Sequence, residues 1–212
     1  MFQVRRDMAL QAMLRRAELA ACIERHAPRE GVFRTAVPRL TVVRTHGADN
    51  PVHDVDEPCL CTLASAGRRL PWGDEIHVDD PSTYLMVSQH LPVSGPVVDA
   101  SAQRLYLSLT LAYATEELSS LMLGMDIDRV ASRQGTPQAV IAADVQPDLL
   151  DAMLRLARLL DSPQDIDALA PLVTREILYR LLTGPCGAQL AQMTLANGAG
   201  RPCESVSRSR PP

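Results

Sequence analysis

The sequence contains no lysine, so all 21 of its basic residues are arginine. This absence excludes lysine Schiff bases, pyridoxal enzymes and the lysine of a phosphate-binding P-loop. One tryptophan, four tyrosines and two phenylalanines are the only aromatic residues among 212, so the core must consist mainly of Leu, Val, Ile, Ala and Met. The formal net charge is -4, which argues against a nucleic-acid surface, since phosphate binding requires a clustered basic field.

Long apolar runs are also missing. No run approaches the roughly 18 residues of a membrane span, and Arg5, Arg6 and Asp7 interrupt any secretory signal at the N-terminus. Five cysteines, an odd number, occur in a chain without such a signal. We therefore predict reduced thiols in a cytoplasmic protein that does not contact a membrane.

Recognisable catalytic arrangements are absent as well. The five histidines include no His-x-His pair, and only His77 and His90 could converge across neighbouring strands, without a clear carboxylate partner. Cys59 and Cys61 lie on the same side of a predicted strand, where buried thiols are a better interpretation than a metal site. No Gly-x-Ser-x-Gly elbow is present. The sequence therefore predicts no catalytic residues, no metal and no cofactor.

Residues 57–111 form a series of short strands and tight turns, which is typical of a small β-barrel with room for one ligand. Gly73-Asp74 is a hairpin signal, and residues 79–82 form a proline-containing turn. Residues 105–111 place leucine at every second position, as in a strand. Either face of that strand could point into the barrel.

Helical periodicity dominates the two ends of the chain. Residues 9–26 predict an amphipathic helix, and residues after Thr115 predict further helices, one of which begins at Pro147. The apolar stripes of the last helices either pack on the barrel or mediate self-association in an isologous dimer. The predicted dimerisation residues are Leu149, Met153, Leu156, Leu160, Leu169, Val173 and Ile177.

Four segments follow from these patterns. They are an N-terminal helix (1–27), a β-barrel (28–112), a helical subdomain for packing or dimerisation (113–196) and a disordered tail (197–212).

Several motifs resemble one family. They are Glu57-Pro58-x-Leu60-Cys61, the Gly73-Asp74 hairpin, Leu91-Pro92-Val93-Ser94-Gly95 and the helix Glu176-Ile177-Leu178-Tyr179-Arg180-Leu181-Leu182. In order and spacing they resemble the N-terminal regulatory domain of AraC-type transcriptional regulators, over about residues 20 to 195.

The resemblance implies an α+β fold, with a cupin-like β-barrel (a double-stranded β-helix) followed by a C-terminal helical segment. It also implies a bacterial, non-enzymatic module that senses a small effector and dimerises, while a separate helix-turn-helix domain binds DNA. This chain ends where those DNA-binding helices would begin, so we expect no direct nucleic-acid binding. The partner would be a second copy or a full-length homologue.

An effector in such a barrel would meet apolar walls with a few polar groups. The candidate ligand-binding residues are Cys61, Trp72, Tyr84, Met86 and Tyr106, although ordinary core packing explains each of them equally well. One alternative is a cupin-type metal-dependent enzyme acting on a small molecule, which would need a metal at His77 or His90. Another is an inert remnant of a longer regulator.

Overall fold

A computed structural model describes residues 2–45, 54–55, 57–72, 75–87, 91–92, 97–98, 105–125 and 140–199. The strands are β1 (Gly31–Arg34), β2 (Leu40–Thr45), β3 (Asp54–Val55), β4 (Cys59–Ser65), β5 (Gly67–Trp72), β6 (Glu75–Asp79), β7 (Thr83–Val87), β8 (Leu91–Pro92), β9 (Val97–Val98), β10 (Tyr106–Ala112) and β11 (Val140–Asp144). The helices are α1 (Phe2–His26), α2 (Thr115–Leu123), α3 (Pro147–Arg158), α4 (Ile166–Thr183) and α5 (Gly187–Ala199), with 3-10 turns at Leu159–Asp161 and Pro163–Asp165.

The main sheet has six antiparallel strands in the order β1-β2-β10-β4-β7-β11. Strand β10 lies near its centre, with Leu109 opposite Val42 of β2 and Thr62 of β4. Among the described strands, β1 and β11 end the sheet without pairing to each other. The predicted α+β class is therefore confirmed, whereas the closed cupin-like barrel is not, because the sheet is open at both edges.

Two smaller ladders accompany the main sheet. Strand β3 pairs with β8, and β5 lies between β6 and β9. Strands β5 and β6 are antiparallel, with Trp72 opposite Glu75, so their connection is two residues long. This pairing is what the predicted hairpin requires, although the turn residues Gly73 and Asp74 themselves lie outside the described part of the chain.

Both faces of the main sheet are buried at its central strand β10. The leucines that alternate along β10, at positions 107, 109 and 111, belong to the same apolar cluster as the buried residues of α3 and α4. Tyr106 and Ser108 are on the opposite face and are also buried, at 0% and 2% exposure. The sequence left the direction of the leucine face open, and the structure directs it toward the helices.

Helix α1 packs against the sheet and α3 mainly with its C-terminal half. Leu19 and Ile23 of that half are fully buried, while Leu10 and Met13 in the preceding turns are largely exposed. Helix α3 begins with Pro147, which lacks the N–H that would be unpaired at this position. Its apolar stripe faces the sheet, where the Thr62 hydroxyl lies 3.4 Å from the sulfur of Met153.

The segment predicted to be purely helical, 113–196, contains strand β11. Its residues pair with β7, with Val140 opposite Val87 and Asp144 opposite Thr83. A short apolar run in a sequence is compatible with either a strand or a buried helix. Here the run forms a strand because it pairs with β7. The predicted disordered tail, 197–212, overlaps helix α5, which continues to Ala199, and residues 200–212 lie outside the described part.

None of the helices in the described part of the chain combines the length and the apolar composition that crossing a bilayer requires.

Candidate functional site

The predicted ligand-binding residues do not form one cluster. Tyr84 and Met86 of β7 belong to the helix-facing core. Cys61 of β4 lies in a second cluster with Leu85 and Val87, and Tyr106 lies in a third one. Trp72 belongs to β5, but its side chain is outside the described part. Tyr84 and Met86 thus lie on the face of the sheet that contacts the helices, and Cys61 and Tyr106 lie on the other face. Successive side chains along a strand point to opposite faces.

Cys61 lies in a small polar group on the face that points away from the helices. Its sulfur is 3.7 Å from that of Cys59 and 3.6 Å from the hydroxyl of Thr110. Both cysteines are at most 4% exposed. Burial and the nearby thiols raise the pKa of the Tyr113 hydroxyl above its ordinary value. Cys61 therefore occupies a desolvated site, as a packed thiol would.

Tyr84 has a structural contact that the sequence did not suggest. Its hydroxyl lies close enough to the thiol of Cys186, in the turn between α4 and α5, for each group to affect the pKa of the other. Burial is the largest cause that raises the pKa of both groups. Tyr84 of β7 thus belongs to the core cluster against which Cys186 packs, so it has a packing role whether or not it contacts a ligand.

Most of the predicted dimerisation residues are buried inside the chain. Only Leu169, at 43% exposure, and the half-buried Val173 of α4 reach the surface. The other residues are at most 7% exposed because α3 packs between the sheet and α4. They are Leu149, Met153, Leu156, Leu160 and Ile177. In this conformation they stabilise the protomer and are not available to a second chain.

A groove between α2 and α4 encloses a cavity of about 740 Å³. Its apolar lining includes Leu111, Leu121 and Ile166, together with Ala170, Leu172 and Leu178. At its edge, Arg39 Nη1 donates to Glu117 Oε1 over 3.1 Å and connects the β1–β2 turn with α2. None of the predicted ligand-binding residues lines it. Sequence patterns could not identify this groove, because its walls come from segments that are far apart along the chain.

A smaller cavity of about 410 Å³ adjoins the groove, and its lining includes Gly124, Met125 and Tyr179. Leu172 and Arg175 border both cavities. Among the described residues, no carboxylate lies within ion-pair distance of the Arg175 guanidinium. A polar group of a bound molecule could therefore meet this guanidinium without displacing an existing ion pair.

An ion-pair network joins α3 and α4 beside these cavities. Glu176 accepts hydrogen bonds from Arg155 over 2.6 Å and from Arg180 over 2.8 Å. Arg155, and to a lesser extent Arg180, hold the pKa of Glu176 below its ordinary value. Arg180 also reaches Asp148 at the start of α3. The network therefore fixes the position of α4 relative to α3.

The hypothesis of a metal at His77 or His90 concerns side chains outside the described part. Within that part, three potential ligands do come together, namely Cys22, His26 and Asp161. The sequence analysis did not identify them, because Asp161 is far from the other two along the chain. The spacing of Cys22 and His26, one helical turn apart, was the available signal.

Comparison with solved structures finds distant likenesses. ToxT from Vibrio cholerae strain SCE256 with a bound unsaturated fatty acid has 9% identity and a TM-score of 0.48, and covers 68% of this chain and 52% of its own. ToxT from Vibrio cholerae O395 bound to (E)-4-(8-methylnaphthalen-1-yl)but-3-enoic acid has 10% identity and a TM-score of 0.49, with 68% and 54% covered. The AraC-like transcriptional activator CuxR has 12% identity and a TM-score of 0.30, with 80% and 52% covered.

This chain thus spans about half the length of those proteins. At TM-scores below 0.5, the likeness is too distant to identify the ligand of this chain. No curated protein sequence matches it. The family model for the N-terminus of AraC-type transcriptional regulators matches residues 36–189, which include the main sheet from β2 onward, the groove and helices α2 to α4. The chain therefore belongs to the family of AraC-type transcriptional regulator N-termini.

Proposed function

We propose that this chain is the effector-sensing module of an AraC-type transcriptional regulator and that it catalyses no reaction. The observation that carries this proposal is the family match over residues 36–189. We also propose that it acts in the cytoplasm and does not itself bind nucleic acid. The formal net charge of -4 supports the second point, because phosphate contacts require clustered positive charge.

The groove between α2 and α4 is the first location that we propose for the effector. Its volume of about 740 Å³ lies within the range of small-molecule sites, about 300–1,000 Å³. Its apolar walls and peripheral charges fit a molecule with an apolar body and one or two polar groups. The groove contacts α4, so an occupant would act directly on the helix that carries the exposed apolar residues described below.

The second location comprises the predicted residues on the sheet. Cys61, Tyr84, Met86 and Tyr106 are each at most 4% exposed, so a ligand that reached them would have to displace packed side chains. Such displacement costs free energy in a close-packed interior. Because of this cost, we rank the groove above the sheet as the effector location. Effector binding by the sheet residues and Trp72 remains a prediction.

We propose that dimerisation uses the outer face of α4. Leu169, Leu172 and Tyr179 are 43%, 64% and 48% exposed and lie along that helix. An apolar helix face of this kind fits an isologous contact with a second copy or with a full-length homologue. Sedimentation equilibrium would test the homodimer: Leu169→Asp should dissociate it, and a wild-type chain that stays monomeric at all concentrations contradicts the proposal.

A regulatory fusion tests the sensing function and does not require the effector to be identified. The full chain is joined to the DNA-binding half of a related regulator, and transcription from its promoter is measured in cells. Ser120→Trp places an indole in the groove from an exposed position on α2. Leu123→Trp is the matched control, because it adds the same side chain at an exposed position of α2 that lines neither cavity.

We expect Ser120→Trp to change transcription and Leu123→Trp to leave it as in the wild type. Equal output from all three fusions would contradict effector binding in the groove. If the wild-type fusion still differed from the isolated DNA-binding half, the sheet residues would become the proposed effector location. Output identical to that of the isolated DNA-binding half would refute the sensing function itself.

A further inference from the structure

Three side chains with metal-ligand atoms meet where the end of α1 approaches the 3-10 turn after α3. Cys22 and His26 are four residues apart on α1 and therefore share one face of the helix. Asp161 is the last residue of the turn Leu159–Asp161. The three donor atoms all lie within 4.8 Å of one another, and His26 Nε2 is 3.0 Å from Asp161 Oδ1.

The surrounding structure holds these three groups on rigid elements. Cys22 is 1% exposed, and its thiol donates to the carbonyl of Ala157 in α3 over 3.4 Å. Leu19 and Ile23, which flank it on α1, are fully buried in the main core. The position of α1 relative to α3 is therefore fixed by packing.

Arg25 provides a second layer of contact, and Arg158 lies nearby. Arg25 donates to Asp161 Oδ2 over 2.6 Å, which leaves the other carboxylate oxygen directed at His26. Second-layer hydrogen bonds of this kind orient metal-ligating carboxylates in known sites. Arg158 is neutralised by Glu18 at 2.6 Å, so each guanidinium beside the cluster already has a carboxylate partner.

We propose that Cys22, His26 and Asp161 bind one divalent transition-metal ion of borderline softness, with Zn²⁺ as the best fit. One thiolate, one imidazole and one carboxylate form a donor set that Zn²⁺ accepts, and hard ions such as Mg²⁺ and Ca²⁺ prefer oxygen alone. The thiol proton is released to solvent on binding, and water occupies the fourth position.

The distances require only a small rearrangement. Zinc bond lengths and tetrahedral angles place a thiolate sulfur about 3.6 Å from the nitrogen or oxygen ligand, and the nitrogen about 3.3 Å from the oxygen. The sulfur therefore has to approach the other two donors by about 1.2 Å at most, given the present limit of 4.8 Å. The His26 nitrogen and the Asp161 oxygen, now 3.0 Å apart, have to separate slightly. The side chains of His26 and Asp161 are 28% and 43% exposed and can move by this amount.

Binding at this position would join the end of α1 to the end of α3. It would add a metal contact to packing that holds mainly the C-terminal half of α1, since Leu10 and Met13 remain exposed. This inference does not depend on effector sensing, because the cluster is separate from the groove and none of its residues lines either cavity.

Cobalt substitution tests the proposal on the full chain. The protein is reduced, treated with chelator, desalted and titrated with Co²⁺, which replaces Zn²⁺ and reports thiolate ligation by a charge-transfer band in the near ultraviolet. We expect one Co²⁺ per chain, displacement by Zn²⁺, and a higher melting temperature with Zn²⁺ than without it. Absence of the band would overturn the proposal and leave only ion pairs at this position.

Matched variants locate the site. His26→Gln should weaken Co²⁺ binding by more than about tenfold, since losing a direct ligand costs at least as much as losing an outer contact. Cys22→Ser should abolish the charge-transfer band, whereas Cys186→Ser should retain it. Circular dichroism checks that each variant is folded. If the variant of the buried Cys22 does not fold, the result for the partly exposed His26 variant tests the site. A band that survives His26→Gln at full affinity assigns the metal elsewhere and refutes the site.

Discussion

Replacing Met153 by alanine tests whether this residue belongs to the core of the protomer or to a subunit interface. Its side chain is fully buried between α3 and the sheet, with its sulfur 3.4 Å from the Thr62 hydroxyl. The lost transfer free energy is about 2 kcal/mol. The remaining cavity adds about 1–2 kcal/mol, because the surrounding helices and strands relax only in part. We therefore expect a loss of about 3–4 kcal/mol in the free energy of unfolding.

Urea denaturation followed by circular dichroism measures this loss, with the slope of the transition compared between variants. Leu123→Ala is the control, because Leu123 is 81% exposed and an exposed substitution changes stability by about 0.5 kcal/mol or less. The loss at Met153 should be independent of protein concentration. If it shrank on dilution, as the contribution of a subunit contact does, or stayed below about 1 kcal/mol, the assignment of Met153 to the protomer core would be refuted.

Two further substitutions test the helical layer. Glu176→Gln removes a carboxylate whose pKa is lowered mainly by Arg155, so its contribution exists above its ordinary pKa of 4.5 and is lost as pH falls through the lowered value. We expect Glu176→Gln to cost about 1 kcal/mol at pH 7 and much less at pH 3, by urea titration; an equal cost at both pH values would contradict this account. Gly187→Ala should disrupt the turn before α5, because a Cβ there would collide with the carbonyl of Leu182, so the melting temperature should fall. Gly124→Ala is its control, since its Cβ would meet only the Leu121 carbonyl at 3.6 Å, and equal melting temperatures for the two variants would argue against the collision.

Local sequence patterns predicted those helices and strands that have a clear start residue or a clear periodicity. Pro147 at the first position of α3 and the alternating leucines of β10 have short-range causes, and both elements form where they were expected. Strand β11 has no comparable signal, because its apolar run is short and includes alanines that also suit a helix. Its conformation depends on hydrogen bonds to β7, a partner distant along the chain.

The sequence by itself determined the separate regions of strands and helices, because periodicity and turn residues act over a few positions. The resemblance of its motifs to a known family indicated the α+β class and the family. The tertiary structure decided which apolar stripes remain exposed: α3 is covered on both sides, whereas α4 keeps Leu169 and Leu172 at the surface. It also created the groove and the Cys22, His26 and Asp161 cluster. Both join segments that only long-range packing brings together, and no local pattern encodes such distances.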